Sequence, residues 1–296
     1  MIEIRDLAKS YGTLKAVDGI SFDVRRGETF GLLGPNGAGK TTTLHLLVGV
    51  LPADRGTIRI DGQGDPTRPE TRRHLGLAPQ QPSLYPDLTG EENLSFFGRM
   101  SGLAGKKLAE RVAWALDLAG LADRRKDRVR AYSGGMQRRL SLACALVHDP
   151  PVILLDEPTA GVDPQSRNHL FESIEALKRA GRTILYTTHY MEEAQRLCDR
   201  VAIMDHGKIL ALDTVPALLE RHGGRSLIEA ELEPVPADPS SLPGTWDGRT
   251  LRVPAERPLE EVARLAASGV RFSTLHVKRP DLETVFLELT GRTLRD

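Results

Sequence analysis

Cysteine is nearly absent, with only Cys144 and Cys198 in 296 residues. Neither has a metal-ligand spacing or belongs to a disulfide framework, and both sit in apolar helical patterns. Small buried hydrophobes in a reducing cytoplasm are therefore expected. Aromatic residues make up 5% of the chain, and none interleaves with the one basic run, Arg124, Arg125, Lys126, Arg128 and Arg130, which Asp123 and Asp127 interrupt. Forty basic side chains against forty acidic give a formal net charge of zero. No global field then draws the chain to nucleic acid or to an anionic membrane, and the basic run reads as a solvated helix end and loop. Also missing is any run of about eighteen apolar residues, the length a bilayer-spanning helix needs. Met1–Asp6 is acidic and strand-like without an apolar core of signal-peptide length, so no secretion is expected. Any membrane association is expected to be local and specific.

What the chain does have is centred on Gly34-Pro35-Asn36-Gly37-Ala38-Gly39-Lys40-Thr41, which fits G-x-x-x-x-G-K-[ST]. In that pattern the glycines let backbone N–H groups close around phosphates, the lysine reaches the β- and γ-phosphates, and the hydroxyl meets Mg²⁺. The flanks agree with it. Thr29–Leu33 reads as a short buried strand, and Leu44, Leu47, Val48 and Leu51 recur at helical spacing after the loop. The helix N-terminus is thereby aimed at the phosphates, where its positive dipole end stabilises negative charge.

Upstream, Ile2–Ile4 and Ile20–Val24 alternate with period two and read as antiparallel strands. Tyr11 lies between them, either stacked on a purine base or as a half-buried loop residue. Gly56–Gly62 and Leu75–Gln81 read as further strands, the second ending in polar Gln80 and Gln81. Thr89 and Glu92 are spaced as a capping box, and Leu94, Phe96, Phe97 and Met100 follow as core or as a docking groove for a partner helix. From about Leu103 to His148 the pattern is helical, with Val112, Leu116 and Ala119 on one face. A further helix starts after Ser133-Gly134-Gly135 and buries Met136, Leu140, Ala143 and Val147. Ser133 is there either an ordinary N-cap or part of a second anion site.

Val152–Leu155 reads as a fully buried parallel strand whose carboxyl end carries Asp156 and Glu157. Parallel sheets place their ligands at that end, so Asp156 is expected to hold Mg²⁺ and Glu157 to face the attacking water as general base. Ala160–Pro164 is a turn opening a helix with Leu170, Ile174 and Leu177. Thr183–His189 is another buried strand with His189 just past its end, again on the ligand side, where it is expected to contact the γ-phosphate. Val201–Met204 and Ile209–Leu212 form a closing hairpin.

Near Thr214 the character changes. Glu229, Glu231 and Glu233 alternate with Ile228, Ala230 and Leu232 as a half-exposed strand, and Pro234–Gly244 reads as a loop. Leu251 and Val253 suggest a strand, and Leu259, Val262, Ala263 and Ala266 a helix. Leu275 and Val277 suggest a strand, and Asp281 caps a final helix presenting Leu282, Val285, Phe286 and Leu289. No catalytic constellation appears in this part, so packing or regulation is its expected role.

The ordered set of phosphate loop, Gln80, Ser133-Gly134-Gly135, Ile153–Glu157, Asp163 and His189 resembles the ATP-binding cassette of ABC transporters over residues 1–215. The resemblance implies an α/β fold of the P-loop NTPase class, a RecA-like core with an antiparallel β subdomain and an α-helical subdomain at about residues 85–148. A small C-terminal α+β domain over residues 216–296 follows it. It implies that Tyr11 stacks on adenine and that Gly34 to Thr42, Thr42 included, hold the phosphates and Mg²⁺. Thr41, Gln80 and Asp156 approach the metal, Glu157 and His189 act on the γ-phosphate and lytic water, and Gln80 also reports to the partner. Gln80 is preferred to Gln81 because Leu84-Tyr85-Pro86 then falls at the family's usual spacing. Two cassettes of this family close head-to-tail. Ser133, Gly134 and Gly135 would then address the ATP held by another subunit, with Asp163 crossing the interface, in a homodimer or a paired cassette.

The signature departs from the common Leu-Ser-Gly-Gly-Gln, reading Tyr132-Ser133-Gly134-Gly135-Met136. Met136 cannot make a polar contact to nucleotide, and Tyr132 alters the apolar support. This signature and the tail Asp281–Gly291 resemble the daunorubicin-resistance type of ATPase, which serves type-2 exporters. The sequence therefore predicts a Mg-ATP-hydrolysing subunit that dimerises on ATP, sits at the cytoplasmic face of the membrane through a separate permease, and binds no nucleic acid. A soluble ABC ATPase acting on DNA or ribosomes is the competing reading, disfavoured by the absence of a coiled-coil insertion, a tandem cassette and a basic surplus. A P-loop GTPase would need an Asn-Lys-x-Asp motif, which is missing.

Overall fold

A computed structural model describes residues 1–62, 64–233 and 242–291. The chain divides into two compact units, Met1–Val215 and Pro216–Asp296.

The first unit holds two sheets. β1 (Ile2–Tyr11), β2 (Leu14–Val24) and, further on, β4 (Arg55–Ile60) form a three-stranded antiparallel sheet in the order β2-β1-β4. β1 runs to Tyr11, well past the strand that alternation suggests at Ile2–Ile4. The pairing shifts register between Ile4 and Leu7, and Asp6 takes φ 47° there, its N–H donating to Ser21 Oγ at 2.8 Å. This bulge breaks the period-two pattern by which the strand would be recognised.

The second sheet is six-stranded, in the order β5-β6-β7-β3-β8-β9. It comprises β3 (Thr29–Leu33), β5 (Leu75–Ala78), β6 (Val152–Asp156), β7 (Thr183–Thr188), β8 (Arg200–Asp205) and β9 (Lys208–Thr214), all parallel except the closing β8–β9 hairpin. Every residue of β3, β6 and β7 is buried, as befits strands covered on both faces. Leu32, Leu154, Leu185 and Ala202 join Ile2, Ile4, Phe22 and Leu44 in one core. At roughly 1.5–3 kcal/mol for each fully buried Leu or Phe, this core fixes the strand ends that carry the site.

The helices of this unit are α1 (Lys40–Leu47), the short α2 (Pro69–Arg72), α3 (Gly90–Met100), α4 (Gly105–Leu118), α5 (Gly134–Leu146), α6 (Pro164–Arg179) and α7 (Met191–Leu197). α3, α4 and α5 share a second core of Leu94, Leu108, Val112, Leu116, Leu140 and Val147. Thr89 caps α3 in a capping box with Glu92. Tyr132 belongs to this core as well, its hydroxyl donating to Arg124 O at 2.7 Å. The ring thus does the packing of the leucine more usual at that position and adds a bond to the preceding loop. Both cysteines are buried, and burial pushes their thiols far above the usual range.

α8 (Val215–His222) begins at the boundary. The second unit is an antiparallel sheet in the order β11-β12-β10-β13, made of β10 (Ser226–Leu232), β11 (Thr245–Asp247), β12 (Thr250–Ala255) and β13 (Phe272–Lys278), with α9 (Pro258–Ala267) and α10 (Leu282–Thr290). Ile228, Ala230, Leu251, Val253 and Leu265 form its core. α9 forms where Leu259, Val262, Ala263 and Ala266 suggested a helix. Leu259, Ala263 and Ala266 are exposed, and Leu265, supported by Val262, packs inward. Two apolar stripes compete on this short helix, and the sheet decides between them. Most of the loop expected over Pro234–Gly244 lies outside the described residues. Among those residues, no helix is long and apolar enough to cross a membrane.

Candidate functional site

β3 delivers the chain at Leu33 into the loop Gly34–Gly39, and α1 starts at Lys40 with Gly39 at φ 104° as its N-cap. Gly39 is required here, because a Cβ would collide with the Ala16 carbonyl in a backbone region that L-residues rarely adopt. The Lys40 side chain is buried. Its Nζ donates to Gly34 O at 2.8 Å and Pro35 O at 2.9 Å, and lies 3.0 Å from Glu157 Oε1.

The end of β6 is held from both sides. Asp156 Oδ1 accepts from Thr187 Oγ1 at 2.7 Å and from Thr41 Oγ1 at 3.2 Å. Glu157 has φ 43°, an uncommon conformation for a non-glycine residue that costs about 1–3 kcal/mol and needs support from its surroundings. Its N–H donates to Thr187 O at 3.2 Å and to Thr187 Oγ1 at 3.0 Å. The side chain Oε2 receives Gln80 Nε2 at 3.2 Å and faces His189 Nδ1 at 3.1 Å. An ionised carboxylate only accepts, so the ring nitrogen facing it carries a hydrogen. Three motifs far apart in sequence thus converge on one carboxylate.

A cavity of about 420 Å³ runs from Tyr11 and Leu14 past Asn36, Gly37 and Thr42 to Lys40, Thr41, Gln80 and Glu157. Tyr11 ends β1 and is about half exposed at its mouth. The dimensions and lining suit a nucleotide with its base by the tyrosine and its phosphates on the loop. Thr41 and Asp156 bring two hard oxygen donors together beside it. Among the described residues no cluster of three or more His, Cys, Asp or Glu side chains could hold a metal. Two protein oxygens beside a phosphate loop match the way Mg²⁺ is bound, with phosphate oxygens and water completing its shell.

Ser133, Gly134, Gly135 and Asp163 lie elsewhere. Ser133 caps α5, its Oγ accepting from Met136 N at 3.2 Å, and Asp163 caps α6, accepting from Ser166 N at 2.9 Å. That backbone bond holds the Asp163 carboxyl below the usual range. A Cβ on Gly135 would run into Ser166, so the two helix starts pack tightly. Ser133, Met136 and Asp163 line a separate cavity of about 290 Å³.

Arg138 and Thr187 escaped the sequence reading. Arg138, buried on α5, donates to Pro79 O at 3.2 Å, to Gln80 O, and to Ala160 O at 3.1 Å. It connects the glutamine segment with the loop after Glu157. A buried arginine in an arginine-rich stretch carries no distinguishing signal in sequence. Thr187, wholly buried, could have been flagged as a polar residue inside an apolar strand. The basic run is neutralised locally, with Arg124 against Asp127, Arg125 against Glu91 at 3.8 Å and Arg130 against Asp87 at 3.3 Å.

Residues 17–160 match the family described as ABC transporter. The linearmycin resistance ATP-binding protein LnrL of Bacillus subtilis is 40% identical, with the whole of both chains covered. The Nod factor export ATP-binding protein I of Ralstonia nicotianae is 42% identical over all of this chain and 95% of its own. The fold is similar to a solved ATP-binding subunit of an ABC transporter, with TM-score 0.69 and 32% identity over 75% of this chain and 93% of that one. It is also similar to a bacterial ABC transporter cassette solved as a dimer, with TM-score 0.67 and 25% identity over 72% and 98%.

Proposed function

This chain belongs to the ATP-binding subunits of the ABC transporter family, and from that premise we propose how its residues divide the work of hydrolysing ATP to drive export through a separate membrane permease. The convergence of Lys40, Gln80 and His189 on Glu157, beside the Thr41–Asp156 pair, carries the reading. Tyr11 stacks on the adenine, and the backbone of Gly34 to Thr42 receives the phosphates at the start of α1. Lys40 leaves Glu157 for the β- and γ-phosphates, which frees the carboxylate. Thr41 and Asp156, with Gln80 close by, would hold Mg²⁺, whose chemistry is to neutralise phosphate charge. Glu157 takes the proton of the attacking water, and His189 donates to the γ-phosphate as the P–O bond to ADP breaks.

The second cavity supports a trans arrangement. Ser133, Gly134 and Gly135 form the start of α5 with Asp163 beside Gly135, and Ser133 and Asp163 line a cavity separate from that of the phosphate loop. A second cassette facing this one head-to-tail would bring that helix start to its own nucleotide's γ-phosphate.

The permease has a candidate seat. Tyr85, Phe96 and Phe97 form an aromatic cluster, and Phe96 and Met100 line a groove of about 680 Å³ with Leu88, Glu91 and Arg99. The groove residues begin eight positions after Gln80 in sequence, on the segment that leaves the glutamine whose side chain touches Glu157. The named relatives act in linearmycin resistance and Nod factor export, which supports export as the direction. We assign residues 216–296 as an accessory regulatory domain. A chain truncated after Thr214 is expected to keep its ATP affinity and lose dimer stability, and loss of binding by a folded truncation would refute that role.

Glu157→Gln tests the chemistry. It removes the base and keeps the shape, so turnover should fall about 100-fold or more while ATP is still bound and ATP-bound dimer accumulates. Unchanged steady-state hydrolysis would refute Glu157 as the base.

A further inference from the structure

Glu193, in the first turn of α7, is a buried carboxylate with three hydroxyl donors. Oε1 accepts from Thr159 Oγ1 at 2.6 Å, and Oε2 accepts from Tyr186 OH at 2.8 Å and Thr188 Oγ1 at 2.9 Å. Burial, reinforced by this carboxylate, lifts the Tyr186 phenol well above its ordinary range, so the hydroxyl stays protonated and donates. A buried carboxyl group needs such satisfaction, and this one is satisfied by hydroxyls from separate segments.

The segments it joins are the two that carry the hydrolytic pair. Thr159 follows Glu157 in the loop that leads to Asp163. That loop is closed by Ala160 N–H to Glu157 O at 3.1 Å and Val162 N–H to Thr159 O at 3.2 Å. Thr188 precedes His189, and its Oγ1 also accepts from Tyr190 N at 2.9 Å, fixing the turn on which the imidazole sits. The Thr188 carbonyl in turn accepts from Gly34 N at 3.3 Å, at the mouth of the phosphate loop.

We propose that Glu193 is a positioning residue for hydrolysis, the tie that keeps the Glu157–Asp163 loop in register with the His189 turn. It does not line the nucleotide cavity. Its loss should therefore change the chemical step and leave ATP binding alone. The proposal rests on Glu157 and His189 being the groups that act on ATP, and Glu157→Gln tests that reading separately. If Glu157→Gln left turnover unchanged, the base assignment would fail whatever Glu193 did. If Glu157→Gln is inactive and Glu193 variants are not, only the tie fails.

The experiment is steady-state ATPase kinetics and equilibrium ATP binding on the purified full chain and its variants. Glu193→Leu fills the space without accepting, and should lower kcat about tenfold or more with KM for ATP within about twofold. Glu193→Gln keeps an acceptor for Tyr186 and Thr188 and can donate its amide to Thr159, so it should recover most of the lost turnover. Thr159→Val removes only the loop's side of the tie. It should lower kcat alone, and in combination with Glu193→Leu should add nothing further. A folded Glu193→Leu chain with kcat within about twofold of the parent, or losses that multiply in the double variant, overturns the proposal. Should Glu193→Leu fail to fold, Thr159→Val decides alone, and an undiminished kcat in that variant overturns it.

Discussion

Lys40 and Glu157 form an ion pair at 3.0 Å, with side chains only 4% and 6% exposed. The residue expected to grip phosphate and the residue expected to activate water neutralise each other inside the protein. On the proposed division of roles, a γ-phosphate reaching Lys40 would trade one anion for another on the same ammonium group, linking nucleotide arrival to release of the base.

That pair predicts a specific pattern of stability. Lys40→Ala leaves Glu157 buried without its ion-pair partner and should destabilise the nucleotide-free protein. Glu157→Gln removes the stranded charge, so the double variant should regain part of the loss. A double-mutant cycle by denaturant or thermal unfolding should give a coupling of about 1–3 kcal/mol. A coupling near zero would mean the pair contributes nothing beyond its separate hydrogen bonds.

The two cavities on one chain predict composite sites. A Ser133→Arg chain has a sound phosphate loop and a spoiled signature, and a Lys40→Ala chain has the reverse. Each alone should be inactive. Mixed in equal amounts with random exchange, they should recover about a quarter of the sites, because half the dimers are mixed and each has one intact site. ATPase activity across mixing ratios reads this directly, and no recovery at any ratio would count against action in trans.

The residues that could be read from sequence are those whose chemistry is local. Gly34–Thr41 declares itself by spacing, and Asp156-Glu157 by two charges at the end of an apolar strand. Capping of α3 by Thr89 and of α10 by Asp281 depends on neighbours three residues away, and both stand as expected. What escaped depends on partners distant in the chain. Glu157's positive φ is enforced by Thr187, a strand away, and the Lys40–Glu157 pair exists only because β3 and β6 run in one sheet. Arg138 and Glu193 look like surface charges on amphipathic helices until the fold buries them. Which side of α9 is buried is likewise not written in its pattern, since Leu259 and Leu265 sit on different sides of the helix and only Leu265 meets the sheet.

His148 sets a pH dependence of stability. Its Nε2 lies 3.0 Å from Leu75 O, and its Nδ1 is buried without a partner. Burial pushes its pKa below the ordinary value, partly opposed by the Leu75 carbonyl. The unfolded chain therefore takes up the proton first as pH falls, so this residue's contribution is intact above about pH 6.5 and is lost as pH drops toward the lower folded value. His148→Gln can still donate to Leu75 O but does not titrate. Thermal unfolding followed between pH 7.5 and 5.5 should show the parent losing stability, with a shallower slope in the variant. Parallel slopes would place the titration elsewhere, because carboxylates held low, such as Asp163, lose their contribution only at more acid pH.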